Sequence, residues 1–303
     1  MARNRREIIT TGLSGLIGSR ISKLLAAKYY FYDLSLPQYN ILDFKKIEKV
    51  FKEQTRAKIV FHLAAFTDVT AAWKQRGNKN GLCYQINVVG TRNLVKLCRR
   101  YQKFLVFVST DYVFDGRKEL SYLEEDRPNP IEWYGQTKLL AEKEIQERLQ
   151  DFVITRVAFP YRAYFTKKTD YVRKIIQGLE EKNLYPMFTD QIITLTFIDD
   201  LAFGFDQIFK KKPRGIFHLV GSDRLSPYQI ARQVAEIFGF SESLLKKGSL
   251  AQYQKCQVSD DRPWHKYLAL SNQKARKELG TKMSTLKEGL QEMKRQLSAK
   301  FTL

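Results

Sequence analysis

The stretch Thr11-Gly12-x-x-Gly15-x-x-Gly18 constrains this chain more than any other. It follows a β-branched run, Glu7 to Thr11, and opens a segment, Leu16 to Ala27, whose apolar residues recur at helical spacing. A glycine turn that leads a strand directly into a helix is the context that a dinucleotide-binding fingerprint requires. Gly12 permits the tight turn, Gly15 lets the backbone approach a pyrophosphate, and Gly18 lets the helix pack close to the strand. The helix N-terminus then offers its amides and the positive end of its dipole to phosphate.

The rest of the chain continues the alternation. Strands are expected at Tyr29 to Leu34, Lys58 to Leu63, Phe104 to Ser109, Phe152 to Val157 and Gly215 to Val220. Helices are expected at Phe44 to Lys52, Leu82 to Tyr101 and Tyr134 to Gln150. Strand-helix alternation with buried-type strands predicts an α/β fold, a doubly wound parallel sheet with helices on both faces. After Pro160 the pattern changes to helices at Asp170 to Leu179, Phe197 to Phe209, Pro227 to Phe238, Asn272 to Leu279 and Thr285 to Leu297, with Asn183 to Phe188 extended. The expected organisation is a dinucleotide-binding domain of residues 1–160 plus about 196–221, and a smaller C-terminal α/β lobe of about 161–195 and 222–303.

Hydrophobic residues at 44% and aromatics at 13% argue for a folded globular chain. No apolar run approaches the roughly 20 residues needed to span a bilayer, and the N-terminus reads as a first strand rather than a signal peptide. Three cysteines, Cys83, Cys98 and Cys256, stand at no metal-ligand spacing, so no metal is expected and a reducing cytoplasm is the natural setting. The net charge is +20, with clusters at Arg3–Arg6, Lys210-Lys211-Lys212-Pro213-Arg214 and the C-terminal helix. A basic field attracts anions, a dinucleotide or a nucleotide-diphosphate sugar among them. No cluster is interleaved with aromatics as a stacking platform would be, which argues against nucleic acid.

Five further constellations carry chemistry. Asp33, 21 positions after Gly12, stands where a carboxylate can bind the adenosine ribose diol and favour NADH, while Arg20 and the basic surface could tolerate NADPH. Asp43 and Phe44 can face the adenine, or Asp43 can cap a helix. Ala64, Ala65, Phe66 and Thr67, after the third strand, allow close passage of a cofactor's ribose and phosphates. At the end of the fourth strand Ser109 and Thr110 point to opposite sides of the extended chain, so only one can stabilise a developing alkoxide, and Thr110 is favoured. Tyr134 and Lys138, four apart on one helix face, form a proton donor and the ammonium expected to lower its pKa.

Together these residues resemble the extended short-chain dehydrogenase/reductases, and more narrowly the dTDP-4-dehydrorhamnose reductases. The pointers are Ser109-Thr110-Asp111-Tyr112-Val113-Phe114-Asp115-Gly116, then Tyr134-Gly135-Gln136-Thr137-Lys138-Leu139 with Glu142. Asn87-Val88-Val89-Gly90-Thr91, Asp190-Gln191, Asp199-Asp200-Leu201-Ala202 and Arg262-Pro263 extend the resemblance over nearly the whole chain. Sugar-nucleotide dehydratases carry glutamate where Tyr112 stands, which argues for reduction. The resemblance implies a Rossmann-type fold with NADPH or NADH bound by Gly15, Leu16, Ile17, Asp33, Asp43, Phe44, Ala65 to Thr67, Tyr134 and Lys138. It implies a nucleotide-diphosphate sugar at Thr110 and Asp111, with Phe159 near the sugar and Arg262 on the substrate side, and a homodimer is compatible with it. The family's activity is reduction of a 4-keto-6-deoxy sugar on dTDP. The chain departs from the pattern at Thr70 and Trp73, where the family usually has an acidic residue and a glutamate. It departs again at Phe159, often tryptophan, and at Ile193 and Leu195, where Gly and Pro are usual. Two other readings stay open: a non-catalytic regulator like the beta subunit of methionine adenosyltransferase, and a sugar-nucleotide epimerase. Nucleic-acid-binding members typically lose the tyrosine-lysine pair, which is intact here.

Overall fold

The structure, a computed structural model, describes residues 5–257 and 261–299. Its chain divides into two compact units. The first holds the chain up to Phe114, Arg127–Arg156 and Ala202–Phe217; the second holds Asp115–Asp126, Val157–Leu201 and the chain from His218 on.

The first unit is built on a six-stranded sheet. In chain order its strands are Arg6–Thr11, Tyr29–Asp33, Ile59–His62, Phe104–Thr110, Phe152–Val157 and Gly215–His218. In space they run second, first, third, fourth, fifth, sixth. The first strand pairs in parallel with the second, Thr10 opposite Asp33, and with the third, Thr11 opposite His62. The strand order therefore reverses at the first strand, and in open α/β sheets ligands bind in the crevice beyond the carboxyl ends of the strands at such a switch point.

Both faces of this sheet are covered, as period-two alternation demands. Phe61 packs on Phe205 and Phe209 of the Ile198–Lys211 helix, with ring centroids 4.6 and 5.2 Å apart, and Tyr29 joins Phe209 at 5.2 Å. Val60, the next residue back, turns to the opposite face with Ile9, Leu105 and Phe107. There it meets Ile47, Val50 and Phe51 of the Phe44–Glu53 helix, Leu94, Val95 and Leu97 of Thr91–Arg100, and Ala141 and Ile145 of Trp133–Arg148.

Most expected elements appear with ends moved by one or two residues. The expected Leu82–Tyr101 helix is three pieces end to end: Leu82–Tyr84, a π-helical turn at Gln85–Gly90, and Thr91–Arg100. The short helix Val69–Trp73, capped by the Asp68 carboxylate accepting from Ala71 N, was not expected.

The second unit contains three short parallel strand pairs, Pro160–Tyr161 with Thr196–Phe197, Met187–Phe188 with Lys247–Gly248, and Ile192–Ile193 with Tyr267–Leu268. Its Pro227–Phe238 helix begins on a reciprocal Ser226–Gln229 capping box and ends at Gly239 in the left-handed conformation. The segment Asp115–Asp126, inside the residues expected for the first domain, sorts with this unit. Gly116 O accepts from Tyr267 N at 2.9 Å, and Tyr122 exchanges backbone hydrogen bonds with Ala269 and Ser271.

Candidate active site

The glycine turn has the close approaches that its spacing predicts. Gly12 sits at φ +72°, and a Cβ on it would lie 2.5 Å from Ala64 N. A Cβ on Gly18 would lie 2.6 Å from Gly12 O. The Gly18–Leu25 helix starts without a side-chain cap, and its first turn is closed by the backbone, Ser19 N donating to Gly15 O at 3.1 Å and Ile21 N to Ile17 O at 3.0 Å. Leu16 and Ile17 form the last residues of the turn and are half-buried. Asp33 ends the second strand, exposed, and accepts a hydrogen bond from Ser35 Oγ. Asp43 takes the capping role: its Oδ1 accepts from Lys46 N at 3.0 Å. Phe44 packs against the core with the Arg100 guanidinium 5.8 Å from its ring centre.

Beneath this surface runs a continuous hydrogen-bond chain that the sequence did not reveal. Ala64 N donates to Thr11 Oγ1 at 3.2 Å, and Thr11 Oγ1 lies 2.7 Å from His62 Nδ1. His62 Nε2 lies 3.0 Å from Thr91 Oγ1, whose hydroxyl donates to Asn87 O at 2.7 Å. With the Thr91 proton committed to that carbonyl, His62 must donate through Nε2 and accept at Nδ1, which assigns the neutral Nε2–H tautomer. Burial, with the nearby Lys138 charge, lowers the His62 pKa to about 3, in keeping with a neutral ring. The Asn87 side chain carries the connection onward. Its Oδ1 accepts from Phe66 N at 2.8 Å, and its Nδ2 donates to Thr137 Oγ1 at 2.9 Å. Thr137 in turn donates to Tyr134 O at 2.8 Å. The Ala64–Thr67 loop and the turn carrying Tyr134 are thus tied through one side chain in the π-helical segment. Such segments recur at functional sites.

Tyr134 and Lys138 sit at the start of the Trp133–Arg148 helix, both buried. Glu132 caps it with both carboxylate oxygens, accepting from Tyr134 N at 2.9 Å and Gly135 N at 2.6 Å. Glutamate is not a favoured cap residue, which hid this one from sequence reading. A Cβ on Gly135 would overlap the carbonyl oxygen of Tyr112, so the absence of a side chain there lets the helix lie against the Asp111–Val113 turn. Tyr112 and Tyr134 meet edge to face at 5.8 Å.

At the end of the fourth strand the two hydroxyls separate as expected. Ser109 Oγ donates to Glu142 Oε1 at 2.5 Å, and Glu142 is gripped in a buried ion pair by Arg156, Nη2 to Oε2 at 2.7 Å. Thr110 faces the other way. It donates to Asp111 Oδ1 at 2.9 Å and accepts from Tyr112 N. The other Asp111 oxygen, Oδ2, is buried with no hydrogen-bond partner. Burial raises the Asp111 pKa to about 7, against opposing hydrogen bonds from Thr110 and backbone amides.

The Tyr134–Lys138 electrostatics differ from expectation. Burial raises the Tyr134 pKa well above the usual phenol range, a hydrogen bond with Thr110 opposes this, and Asp111, Glu132 and Tyr112 add to the rise. The Lys138 ammonium is engaged elsewhere, donating to Val108 O at 2.8 Å and lying 4.0 Å from the Phe107 ring centre. Burial lowers its own pKa to about 7. With its ammonium engaged there, Lys138 does not lower the tyrosine pKa as the spacing led one to expect.

The structure thus gathers Gly12, Gly15, Gly18, Ala64–Thr67, Thr110, Asp111, Tyr134 and Lys138 within the first unit. Phe159 and Arg262 belong to the second. Phe159 has a left-handed backbone, φ 38°, and packs edge-on against Tyr171 at 5.7 Å. The Arg262 guanidinium lies over Trp264, 4.7 Å from the ring centre. Among the described residues no cluster of three or more His, Cys, Asp or Glu side chains could hold a metal ion, and no helix is long and apolar enough to cross a membrane.

Comparison with known proteins places the chain in a family. A probable low-salt glycan biosynthesis reductase of Haloferax volcanii is 26% identical over 293 residues, covering 92% of this chain and 94% of that protein. The methionine adenosyltransferase 2 subunit beta of Bos taurus is also 26% identical, covering 80% of this chain and 75% of that protein. The crystal structure of dTDP-4-dehydrorhamnose reductase from Bacillus anthracis, in complex with NADP, superposes with a TM-score of 0.86 at 24% identity, covering 96% of this chain and 99% of that one. The family model described as the RmlD substrate binding domain matches residues 6–299. The chain therefore belongs to the RmlD substrate binding domain family, within the extended short-chain dehydrogenase/reductases, and has that superfamily's dinucleotide-binding, NAD(P)H-dependent oxidoreductase fold.

Proposed function

We propose that this protein reduces the 4-keto group of a nucleotide-activated 6-deoxy sugar, dTDP-4-dehydrorhamnose being the first candidate, with NADPH or NADH as reductant. The observation that carries the reading is Tyr134 beside Thr110 and Asp111, in the same unit as a glycine turn that a single Cβ would block. The dinucleotide fits the residues present: Gly12 and Gly18 leave the turn open, no side chain caps the helix behind it, and Ala64–Thr67 line the next strand end. When bound, the reduced nicotinamide supplies the hydride that goes to the keto carbon. The Tyr134 phenol donates its proton to the keto oxygen. A phenol whose pKa is held high stays protonated at neutral pH and is ready to give that proton when the oxygen becomes basic. Thr110 Oγ1 steadies the developing alkoxide. Lys138 holds the nicotinamide ribose hydroxyls, and the orphaned Asp111 Oδ2 takes a hydroxyl of the sugar. The substrate lobe, with Phe159 and Arg262, is proposed for about 161–195 and 222–303.

The regulatory reading stays as the second, because a methionine adenosyltransferase beta subunit matches at the same identity as the glycan reductase. A coupled assay separates the two. It supplies 4-keto-6-deoxy sugars on dTDP, UDP and GDP and follows nicotinamide absorbance with each cofactor. Oxidation with one nucleotide sugar is expected. No oxidation with any of them, together with co-purification of a synthetase, would transfer the assignment to the regulatory role.

A further inference from the structure

Two basic clusters that stand out in the sequence have no part in the reductase site, yet the fold brings them together. Arg5 and Arg6, at the start of the first strand, share one concavity with Lys210 and Lys212, at the end of the Ile198–Lys211 helix, and with Arg56 and Lys58, just before the third strand. The cavity is about 560 Å³, within the range of small-ligand sites. It lies at the amino ends of the strands. The glycine turn follows the other end of the first strand, five residues on and about 17 Å away at ~3.3 Å per residue.

The charge in this cavity is poorly compensated. Six cationic side chains line it against one carboxylate, Glu7, whose Oε1 is 3.5 Å from Arg56 Nε. Lys210 is held by Asp206 at 2.7 Å, and that carboxylate also serves Lys28. Arg5, Arg6, Lys58 and Lys212 make no ion pair among the described residues. Arg5 is nevertheless fixed in place, donating to Ala26 O at 3.2 Å with its guanidinium 5.4 Å from the Tyr30 ring centre. The backbone at Lys212 sits in the left-handed region at φ 49°, where Gly or Asn is usual, with its amide on Ile208 O at 2.8 Å. Like charges held on one concave wall repel each other, and a multivalent anion relieves that repulsion.

We infer that this cavity binds a compact polyphosphate chain, free or as the phosphate tail of a nucleoside triphosphate, separately from the dinucleotide. The lining offers phosphate ligands and nothing for a base. Its one aromatic side chain, Phe209, is 1% exposed and packed beneath the sheet. A single-stranded nucleic acid needs exposed rings on which to stack.

Titration calorimetry of the full chain with inorganic triphosphate tests the inference, at low and at physiological salt, with and without saturating NADPH. One saturable site per chain is expected, weakened by salt and unchanged by NADPH. Nucleoside triphosphate should bind about as tightly as inorganic triphosphate. The exposed-residue variant Lys58→Glu/Lys212→Glu should bind roughly tenfold or more weakly, each lost contact being a charge-assisted hydrogen bond. Lys58→Gln/Lys212→Gln should lie between, which keeps the test readable if charge reversal disturbs folding. Reductase turnover should be the same in all of them. Absence of saturable binding, equal affinity in the variants, or displacement by NADPH would overturn the inference. So would a short RNA that binds more tightly than triphosphate and is lost in the same variants.

Discussion

At the scale of single residues, two buried titratable groups near the proposed chemistry, Asp111 and His62, oppose each other in pH. Asp111 has its folded pKa raised from 3.8 to about 7. Between those values the folded state holds a proton that the unfolded chain has lost, so this stabilising contribution is full below pH 3.8 and disappears as pH rises through 7. His62 has its folded pKa lowered from 6.5 to about 3. Between those values the unfolded chain holds the extra proton, so stability is lost as pH falls from 6.5 towards 3. Each effect is on the order of a few kcal/mol at its limit, and across pH 4 to 6.5 they nearly cancel. Urea denaturation over that window should therefore give a shallow profile for the native sequence. Asp111→Asn should expose a steep loss of stability towards acid, and His62→Gln a gain towards acid. Parallel profiles for all three proteins would contradict the burial described for these two side chains.

At the scale of elements, the site depends on backbone approaches that only glycine allows. Gly12→Ala would strain a positive φ and drive a Cβ into Ala64 N, so we expect a loss of about 1–3 kcal/mol in stability and at least tenfold weaker dinucleotide binding. Gly135→Ala would press the helix away from the Tyr112 carbonyl oxygen, so turnover should fall while dinucleotide affinity, measured by nicotinamide fluorescence, changes less. These two glycines differ in how readily sequence reveals them. Gly12 lies in a spaced triplet between a strand and a helix, and its role follows from the turn. Gly135 lies inside a helix, where its need comes from a chain segment 23 residues earlier, Tyr112, and only the packed structure shows it. The same holds for Asn87, whose partners Phe66 and Thr137 are 21 and 50 residues away, and for the π-helical turn that carries it. Helix and strand periodicity were legible because burial imposes them locally. Hydrogen-bond partners were not, because they depend on which elements become neighbours.

At the scale of the whole molecule, a buried ion pair anchors the Phe152–Val157 strand to the helix that carries Tyr134, and the same carboxylate holds the strand that ends at Thr110. Arg156 and Glu142 are 1% and 0% exposed, and Ser109 adds a hydrogen bond to the same carboxylate. Glu142→Ala would leave a buried guanidinium uncompensated, at an expected cost of about 3–5 kcal/mol in chemical denaturation. Replacing both partners, Glu142→Met with Arg156→Met, should cost markedly less. The sequence identified the sheet and the glycine turn, and it put Tyr134 and Lys138 on one helix. It placed Asp115–Asp126 with the first domain, because the contacts that draw that segment to Tyr267, Ala269 and Ser271 join residues about 150 positions apart, beyond the reach of local pattern. The central claim is that Tyr134 gives the proton that completes a ketone reduction, and Tyr134→Phe tests it most directly. With dTDP-4-dehydrorhamnose and saturating NADPH, the variant should bind dinucleotide within a few-fold of the native protein while turnover falls by about 10²–10⁴. Full turnover in Tyr134→Phe would contradict the account.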